Sequence, residues 1–482
     1  MLIANQSVRR KITVRQQLTA LLVLTLALWA QPALADPLAP RLVKDINPGS
    51  ADAAPLQLTQ ARGELYFLAT TPENGTELWR SDGTEAGTTL VRDIKVGPEG
   101  VNITEMVEVS GTLFFNIQYK QGAALWKVPG PTVTASELTK LAPTDPAAAI
   151  YDLTGVGNSL YFFHRHSGNT GLAYELWASD GFKARTSLIA PLPGDQHANN
   201  LVDLKGTAYF SAGATGGAGT ALWKSDGATA GTVQIKPLQF GSNTADFAWP
   251  LAVKSRIYFA ASDGADGFEL FKSDGTEANT KRIANINPTA GSNPNSLAAW
   301  NDKLYFSADD GVHGQELWIS DGTEAGTVLI KDINPDAGSS NPHDFVMNNG
   351  VLYFVADDGV HGAELWKSNG TADSTLLVKD VISGTQASSP SQLTVWHNTL
   401  YFVANNGQGG IDLWQSDGTD AGTNTIMPIT PSLVGQAPFT PTLAAIGSEL
   451  FFPAYSEASG IELWVMGGCP GGCHIYLPMV NR

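Results

Sequence analysis

The feature that most constrains the fold of this chain is a segment that recurs about every 48 residues. A Glu-Leu-Trp segment, or a degenerate form of it, occurs nine times, with steps of 47, 51, 46, 48, 47, 48, 48 and 50 residues between the closing aromatics. A Tyr-Phe or Phe-Phe pair, such as Tyr66-Phe67, precedes each closing aromatic by about a dozen residues. Self-similarity at a fixed period predicts nine copies of one structural unit. The closing aromatics are Trp79, Trp126, Trp177, Trp223, Phe271, Trp318, Trp366, Trp414 and Trp464.

Each unit contains four short apolar runs separated by turn residues, and the sixth unit shows them best. The runs span residues 296–300, 303–308, 316–320 and 327–332, and Asn-Asp, Asp-Gly and Gly-rich segments lie between them. Runs of this length bounded by turn signals are typical of β-strands. The unit is therefore predicted to be a four-stranded antiparallel meander, and its period is typical of a propeller blade. We expect an all-β chain, a β-propeller of about nine four-stranded blades.

The two ends of the repeat array predict how the ring closes. Residues 41–46 match the fourth strand of later units but stand before the first complete unit, whereas the last unit ends after its third strand. Pairing the N-terminal strand with the last blade would remove two exposed sheet edges. We therefore expect the final blade to be built from both ends of the chain.

Residues 1–35 have the pattern of a secretory signal peptide. Arg9, Arg10, Lys11 and Arg15 form a basic lead, residues 18–29 are mostly apolar, and Ala33-Leu34-Ala35 forms a small-x-small cleavage signal. The apolar run is shorter than the roughly 20 residues of a membrane helix. We expect a secreted or cell-surface protein with no membrane span after cleavage, organised as signal peptide 1–35, propeller 36–466 and C-terminal tail 467–482.

The net negative charge of the chain argues against nucleic acid as a partner. The chain has 46 acidic and 29 basic residues and a formal net charge of −17. Nucleic-acid binding requires a basic face, so we expect none. We expect a monomer whose partner is an extracellular glycan or protein.

The repeated segment also resembles a known family. Residues 77–88, 316–327 and, more weakly, 412–423 are similar to the ELWxxDGT repeat of exported bacterial proteins, also called hyalin-like. The resemblance covers nearly all of the chain after residue 35 and implies an extracellular repeat protein, with little indication of chemistry. Residues 475–480 are similar to short terminal tags of other exported bacterial proteins, which would make the tail a sorting signal.

Acidic loops are expected on one rim, because the loop from second to third strand and the loop to the next blade emerge on the same side. Carboxylate and carbonyl oxygens are the ligands that Ca²⁺ takes, so one hypothesis is that calcium orders these loops. The alternative is that they are solvated turns. No other cofactor is expected. The candidate calcium ligands are Asp263, Asp266, Asp309, Asp310, Asp357 and Asp358.

An active site, if the protein has one, is expected where the chain departs from its own repeat. Those departures gather in the third unit. His313 and His361 are repeat equivalents about one blade apart, so they are not expected to share a metal ion. No Gly-x-Ser-x-Gly segment is present in the sequence. The catalytic candidates are His164, Arg165, His166, Tyr174 and Arg185.

Cys469 and Cys473 are the only cysteines, within a Cys-Pro-Gly-Gly-Cys segment. An exported chain meets an oxidising compartment, and Pro-Gly-Gly can bend tightly, so a local disulfide is expected. Redox catalysis is the alternative.

Two functional hypotheses follow from the sequence. The first is an exported, non-catalytic binding or adhesion scaffold that displays acidic loops to a glycan or protein, with or without calcium. The second is a carbohydrate-active hydrolase or polysaccharide lyase that uses the irregular units.

Overall fold

The computed structural model describes residues 39–468, apart from residues 131, 170, 195–196, 216–218, 241–249, 265–266 and 431–440. Within this part of the chain, 36 strands form nine separate four-stranded antiparallel sheets. The described helical elements are three short 3₁₀ turns, Lys183–Arg185, Thr229–Gly231 and Ala372–Ser374. The predicted all-β propeller of nine four-stranded blades is confirmed.

Blades 1 to 4 follow one another along the chain, each with its strands in sequence order. Blade 1 consists of β2 Leu56–Ala61, β3 Glu64–Thr71, β4 Gly75–Ser81 and β5 Thr89–Arg92; blade 2 of β6 Met106–Val109, β7 Thr112–Gln118, β8 Ala123–Val128 and β9 Ser136–Leu141; blade 3 of β10 Ala149–Val156, β11 Ser159–Ser167, β12 Leu172–Ser179 and β13 Ser187–Leu192; blade 4 of β14 Asn199–Leu204, β15 Thr207–Gly213, β16 Thr220–Ser225 and β17 Val233–Pro237.

Blades 5 to 8 repeat this order. Blade 5 consists of β18 Leu251–Val253, β19 Arg256–Ala261, β20 Glu269–Ser273 and β21 Lys281–Arg282; blade 6 of β22 Asn295–Trp300, β23 Lys303–Asp309, β24 Gln315–Ser320 and β25 Val328–Lys331; blade 7 of β26 His343–Asn348, β27 Val351–Asp357, β28 Ala363–Ser368 and β29 Leu376–Lys379; blade 8 of β30 Ser391–Trp396, β31 Thr399–Asn405, β32 Ile411–Ser416 and β33 Asn424–Thr430.

Blade 9 closes the ring and is shared by the two ends of the chain. Its inner three strands are β34 Ala444–Ile446, β35 Glu449–Ser456 and β36 Gly460–Gly467. Its outer strand is β1, Arg41–Lys44, which pairs antiparallel with β36. The first strands of successive blades contact one another around the whole circle, including β34 with β2. The predicted closure by the N-terminal strand is confirmed.

The core lies between the blades, where each sheet packs its two faces against its neighbours. Tyr305 of blade 6 packs with Phe354 and Trp366 of blade 7, and the same trio recurs between other blades. Phe354 is completely buried. Burying an aromatic side chain contributes on the order of 2–3 kcal/mol. The repeated aromatics are therefore structural, as the regular spacing predicts.

The repeated Ser-Asp-Gly-Thr segment forms a tight turn from the third to the fourth strand. In blade 1 the Ser81 hydroxyl accepts the Gly83 amide at 3.0 Å, and the Asp82 carboxylate accepts the Thr84 amide at 2.9 Å. Ser81 also shares a 2.7 Å hydrogen bond with Thr88. Asp and Thr side chains that accept hydrogen bonds from nearby amides favour such turns. The motif therefore has a structural role, which is to stabilise this turn.

No helix in the described part of the chain has the length and apolar character needed to span a bilayer.

Candidate metal centre in the third blade

The third blade carries two histidines on one face of its second strand. His164 and His166 are two residues apart in β11, so both side chains leave the same face of the sheet. Phe162 on that face packs against blade 2. Glu175, on β12, is directly opposite His164 in the register of the two strands. The three side chains therefore meet near the gap between blades 2 and 3.

The carboxylate of Glu175 is hydrogen-bonded to His164 and lies close to His166. The Nδ1 atom of His164 lies 2.9 Å from Oε2 of Glu175, and Nε2 of His166 lies 3.5 Å from Oε1 of the same carboxylate. Among the described residues, this is the one group of three His, Cys, Asp or Glu side chains whose ligand atoms all lie within 4.8 Å of one another. Glu175 thus bridges the two imidazoles.

The position of His164 is occupied by a small residue almost everywhere else. The residue two after the repeated Phe is Ala in seven blades, for example Ala308 in blade 6, and Ile117 in blade 2. His164 is 96% buried, since only 4% of its surface is exposed, and its Nε2 atom has no hydrogen-bond partner. A buried polar atom without a partner costs about 1–3 kcal/mol. A histidine in place of the repeat alanine therefore lowers the free energy of unfolding, and a purely structural role does not explain it.

Glu175 differs from the equivalent glutamates of other blades, which accept backbone amides from the loop to the next blade. In blade 6, Glu316 accepts the amides of Ile333, Asn334 and Ser340 and so fastens the loop to the next blade. Counted from the repeated aromatic, Pro193 stands where blade 6 has Asn334. Proline has no amide hydrogen to donate. The carboxylate of Glu175 is therefore available to the histidines.

Two further contacts prepare these groups to bind a metal. The Nδ1 atom of His166 lies 3.0 Å from the carbonyl oxygen of Ser167, to which it donates, so Nε2 carries the free lone pair. The indole N–H of Trp177 donates to Oε2 of Glu175 at 2.9 Å. Burial acts to raise the pKa of Glu175, but hydrogen bonds from His164 and Trp177 outweigh it and hold that pKa below its usual value. The carboxylate is ionised at neutral pH.

Two imidazoles and one carboxylate form a donor set of the kind that Zn²⁺ takes in open sites, where water or substrate completes the coordination. His166 and Glu175 keep 28% and 20% of their side-chain surface exposed, which leaves a path from solvent. The arrangement can hold a transition-metal ion through three protein atoms and leave one coordination position free.

The other predicted catalytic residues lie elsewhere in blade 3. Arg165 and Tyr174 pair across β11 and β12 and point to the opposite face. There Arg165 donates to the carbonyl of Ala147, and Tyr174 packs against blade 4 with its ring 5.4 Å from that of His197. Arg185 lies in the turn at the far end of β12, where it pairs with Asp180 at 2.8 Å. Of the five predicted residues, only the two histidines lie in the group with Glu175, whereas Arg165 and Tyr174 pair with each other on the opposite face.

Sequence reasoning missed Glu175. It is the glutamate of the third Glu-Leu-Trp segment and therefore looked like part of the repeat. The available signal was the pair of histidines two apart on a predicted strand, with Glu175 in the next strand. Trp177, the aromatic of the same segment, donates to Glu175, and its regular place in the repeat gives no sign of this role.

The predicted calcium ligands form local contacts in their loops. Asp310 accepts the amides of Val312 and His313 at 2.9 Å, and its other oxygen lies 2.8 Å from Nδ1 of His313. Asp358 makes the same contacts in blade 7. Asp309 and Asp357 each accept an amide two residues on. Asp263 lies in the equivalent loop of blade 5. Calcium binding by these residues stays a prediction.

Several predictions fall outside the described residues. These are the signal peptide 1–35, the candidate ligand Asp266, and the cysteine pair Cys469 and Cys473 in the tail.

A search against known protein families gave no match, and neither did a search against curated proteins. Solved structures do match. They include a prolyl endopeptidase structure (11% identity, TM-score 0.47, 93% of this chain and 60% of that one) and a puromycin hydrolase (14%, 0.41, 74% and 59%). An acylaminoacyl peptidase of Pyrococcus horikoshii also matches (12%, 0.37, 73% and 58%). The chain spans about 60% of the length of these proteins.

These matches correct the functional hypotheses drawn from the sequence. The non-catalytic adhesion scaffold and its alternative, a carbohydrate-active hydrolase or lyase, are contradicted, because the similar structures are peptidases and a puromycin hydrolase. With identities of 11–14%, the likeness concerns the fold and does not transfer peptidase activity to this chain.

Proposed function

We propose that the protein binds a transition-metal ion of the Zn²⁺ type in its third blade, through His164, His166 and Glu175. The observation that carries the proposal is the convergence of their ligand atoms within 4.8 Å at the one blade where a buried histidine replaces the repeat residue. The metal replaces the proton that His164 now donates to the carboxylate of Glu175, and it takes the lone pair on Nε2 of His166. Its fourth position is open to water or to a small ligand.

The site is tested by titrating chelator-treated protein with Zn²⁺ in a calorimeter and with Co²⁺ in a spectrophotometer. One ion per chain is expected, with the visible absorption of tetrahedral Co²⁺. The variants are His164→Ala, His166→Ala and Glu175→Gln, each of which should abolish this stoichiometric binding. His164→Ala restores the residue of most other blades, so it should fold at least as well as the wild type.

His343→Ala is the matched control, because His343 is an exposed histidine at the start of β26 in blade 7, and its Nδ1 atom donates to the carbonyl of Asn341. It should leave binding unchanged. Folded wild-type protein that takes up no Zn²⁺, or His164→Ala and Glu175→Gln variants that bind as well as the wild type, would contradict the proposal.

We further infer that the chain belongs with exported bacterial ELWxxDGT-repeat proteins. The in-phase recurrence of residues 77–88 in later units supports this, and the basic, apolar N-terminal segment supports export. Sequencing the N-terminus of protein recovered outside the cytoplasm should find Asp36 first. Recovery of a full-length chain from the cytoplasm alone would contradict it.

A further inference from the structure

Four blades place two acidic side chains opposite each other at the same rim of the ring. In blade 1, Leu78 of β4 pairs with Arg92 of β5, so the next residues outward, Glu77 and Asp93, are cross-strand neighbours. Like charges directly opposite on a sheet are destabilising, so each pair needs compensation. The other pairs are Glu316 with Asp332, Glu364 with Asp380, and Glu462 with Asp45.

In blades 6 and 7 the chain supplies that compensation itself. His313 stands five residues before the repeated Trp of blade 6, on the loop that meets this rim. The hydrogen bond that His313 donates to Asp310 raises the pKa of His313, and the charges of Asp310, Asp332 and Glu316 raise it further. His361 is in the same situation beside Asp358, Asp380 and Glu364. The acidic pair therefore favours the positively charged form of the imidazole beside it.

Blade 1 has a neutral residue in that place. Asn74 occupies the position of His313, and its side-chain amide donates to Oδ2 of Asp93 at 3.1 Å. Among the described residues, no ion pair involves Glu77 or Asp93. The charge that the imidazole provides in blades 6 and 7 is therefore missing.

Blade 1 has also lost a hydrogen-bond donor to its glutamate. In blade 6 the Ser340 hydroxyl donates to Glu316 at 2.6 Å, whereas blade 1 has Val101 at that position. Glu77 is completely buried, and its Oε2 atom has no partner. The Oδ1 atom of Asp93 is also buried without a partner. The aspartates of blades 6 and 7 also keep an unpartnered Oδ1 atom, so the unpartnered oxygen of Glu77 beside that of Asp93 is what sets blade 1 apart from them.

We propose that blade 1 binds a Ca²⁺ ion between Glu77 and Asp93. The two carboxylates offer hard oxygen ligands, which Ca²⁺ prefers, and water can complete its coordination. A divalent ion supplies the positive charge that Asn74 cannot and satisfies both orphaned oxygens. Asn74 and Asp93 are partly exposed, which gives the ion access from the rim.

Blade 9 presents a weaker version of this arrangement. Ser459 stands at the histidine position, but both oxygens of Glu462 accept amides, from Ile46 and Asn47, at 3.1 Å. Only Asp45 keeps an unpartnered oxygen there. The proposal is therefore confined to blade 1, where both carboxylates have a free atom.

The experiment measures Tb³⁺ luminescence at pH 8 in chelator-treated protein, with excitation of tryptophan, since Trp79 lies two residues from Glu77 on β4. Ca²⁺ should displace the Tb³⁺, and calorimetry should show Ca²⁺ binding directly. Glu77→Gln and Asp93→Asn should each abolish the Ca²⁺-sensitive signal. Glu269→Gln, in blade 5 where Asn285 replaces the aspartate, is the matched control and should retain it.

Asn74→His gives a test that does not depend on weakening the fold. It installs the imidazole of blades 6 and 7, so it should abolish Ca²⁺ binding and raise the melting temperature of the calcium-free protein. Folded wild-type protein without Ca²⁺ binding would overturn the proposal and leave a proton as the compensating charge. Unchanged binding in Asp93→Asn or in Asn74→His would overturn it equally.

Discussion

Arg41, in the strand that precedes the first complete blade, donates from Nη1 to the carbonyl oxygen of Gly83 in the turn of blade 1 at 2.8 Å. The same contact joins ordinary neighbours: Lys367 of blade 7 donates to the carbonyl of Gly418 in blade 8 at 2.7 Å. The closing joint is therefore built like a joint within the array. The closure gives blade 9 its fourth strand, so that every blade of the ring has four strands.

Removing β1 should open this ring. A chain starting at residue 47 loses Val43 and Ile46, which are 4% and 5% exposed in the core between blades 9 and 1. Burying two such side chains contributes about 3–6 kcal/mol. We expect a lower denaturation midpoint and faster proteolysis than for a chain starting at residue 39. Equal midpoints for the two chains would contradict the closure.

The strand pattern of the blades was predictable because local turn chemistry and apolar periodicity agree. The runs predicted at 303–308 and 316–320 differ by one residue from the observed β23 and β24, Lys303–Asp309 and Gln315–Ser320. The pairing of β1 was predictable from the count of strands in each unit, since only the last blade lacked a fourth strand.

The candidate site was only half predictable, because it depends on which face each side chain takes and on a distant loop. His164 and Arg165 are adjacent departures from the repeat, yet strand alternation sends them to opposite faces. The role of Glu175 depends on Pro193, eighteen residues later, which removes an amide donor. Such a loss is visible only once the loop of another blade is known.

In five of the turns, those of blades 4 to 8, a glycine meets a tyrosine of the preceding blade, and this contact predicts a specific strain. Gly418 has a φ of +86°, and a Cβ atom there would lie inside van der Waals contact of the Tyr353 hydroxyl. Gly418→Ala should therefore lower the free energy of unfolding by about 2–4 kcal/mol, from left-handed strain plus overpacking. The measurement is denaturant unfolding.

Gly63→Ala is the control for this change, because Gly63 has a φ of +79° and open space around it. Gly63→Ala should lower the free energy of unfolding only by the left-handed backbone strain, about 1 kcal/mol. Adding Tyr353→Phe to Gly418→Ala should recover part of the loss, since the clashing oxygen is gone. Additive effects of the two changes would show that the hydroxyl does not limit the turn.

Glu462 makes the stability of blade 9 depend on pH. Burial raises its pKa to about 7, amides of Ile46 and Asn47 oppose this, and the charge of Asp45 adds to it. The folded pKa lies above the unfolded value of 4.5, so the stabilising contribution is complete below about pH 4.5 and is lost as pH rises through 7. Glu462→Gln should remove this dependence.

The measurement compares unfolding free energies of the wild type and Glu462→Gln at pH 4.5 and pH 8. The difference between the two proteins should change by about 3 kcal/mol in favour of the variant at the higher pH. Glu457→Gln, at an exposed glutamate of the same blade, should track the wild type. Parallel profiles for the wild type and Glu462→Gln would show that Glu462 titrates normally.

Trp177 positions the carboxylate of the proposed metal centre and should affect affinity without touching the ion. Its N–H holds Oε2 of Glu175 at 2.9 Å, whereas the N–H of Trp318, its equivalent in blade 6, has no partner. Loss of such a supporting hydrogen bond typically lowers metal affinity by about 10–100-fold. Trp177→Phe should therefore weaken Zn²⁺ binding by at least about 10-fold in a competition assay, with little change in melting temperature. Trp318→Phe makes the same change in ring without removing a hydrogen bond and should bind as the wild type does. Equal affinities for the two variants would mean that the indole of Trp177 serves only as core, as that of Trp318 does in blade 6.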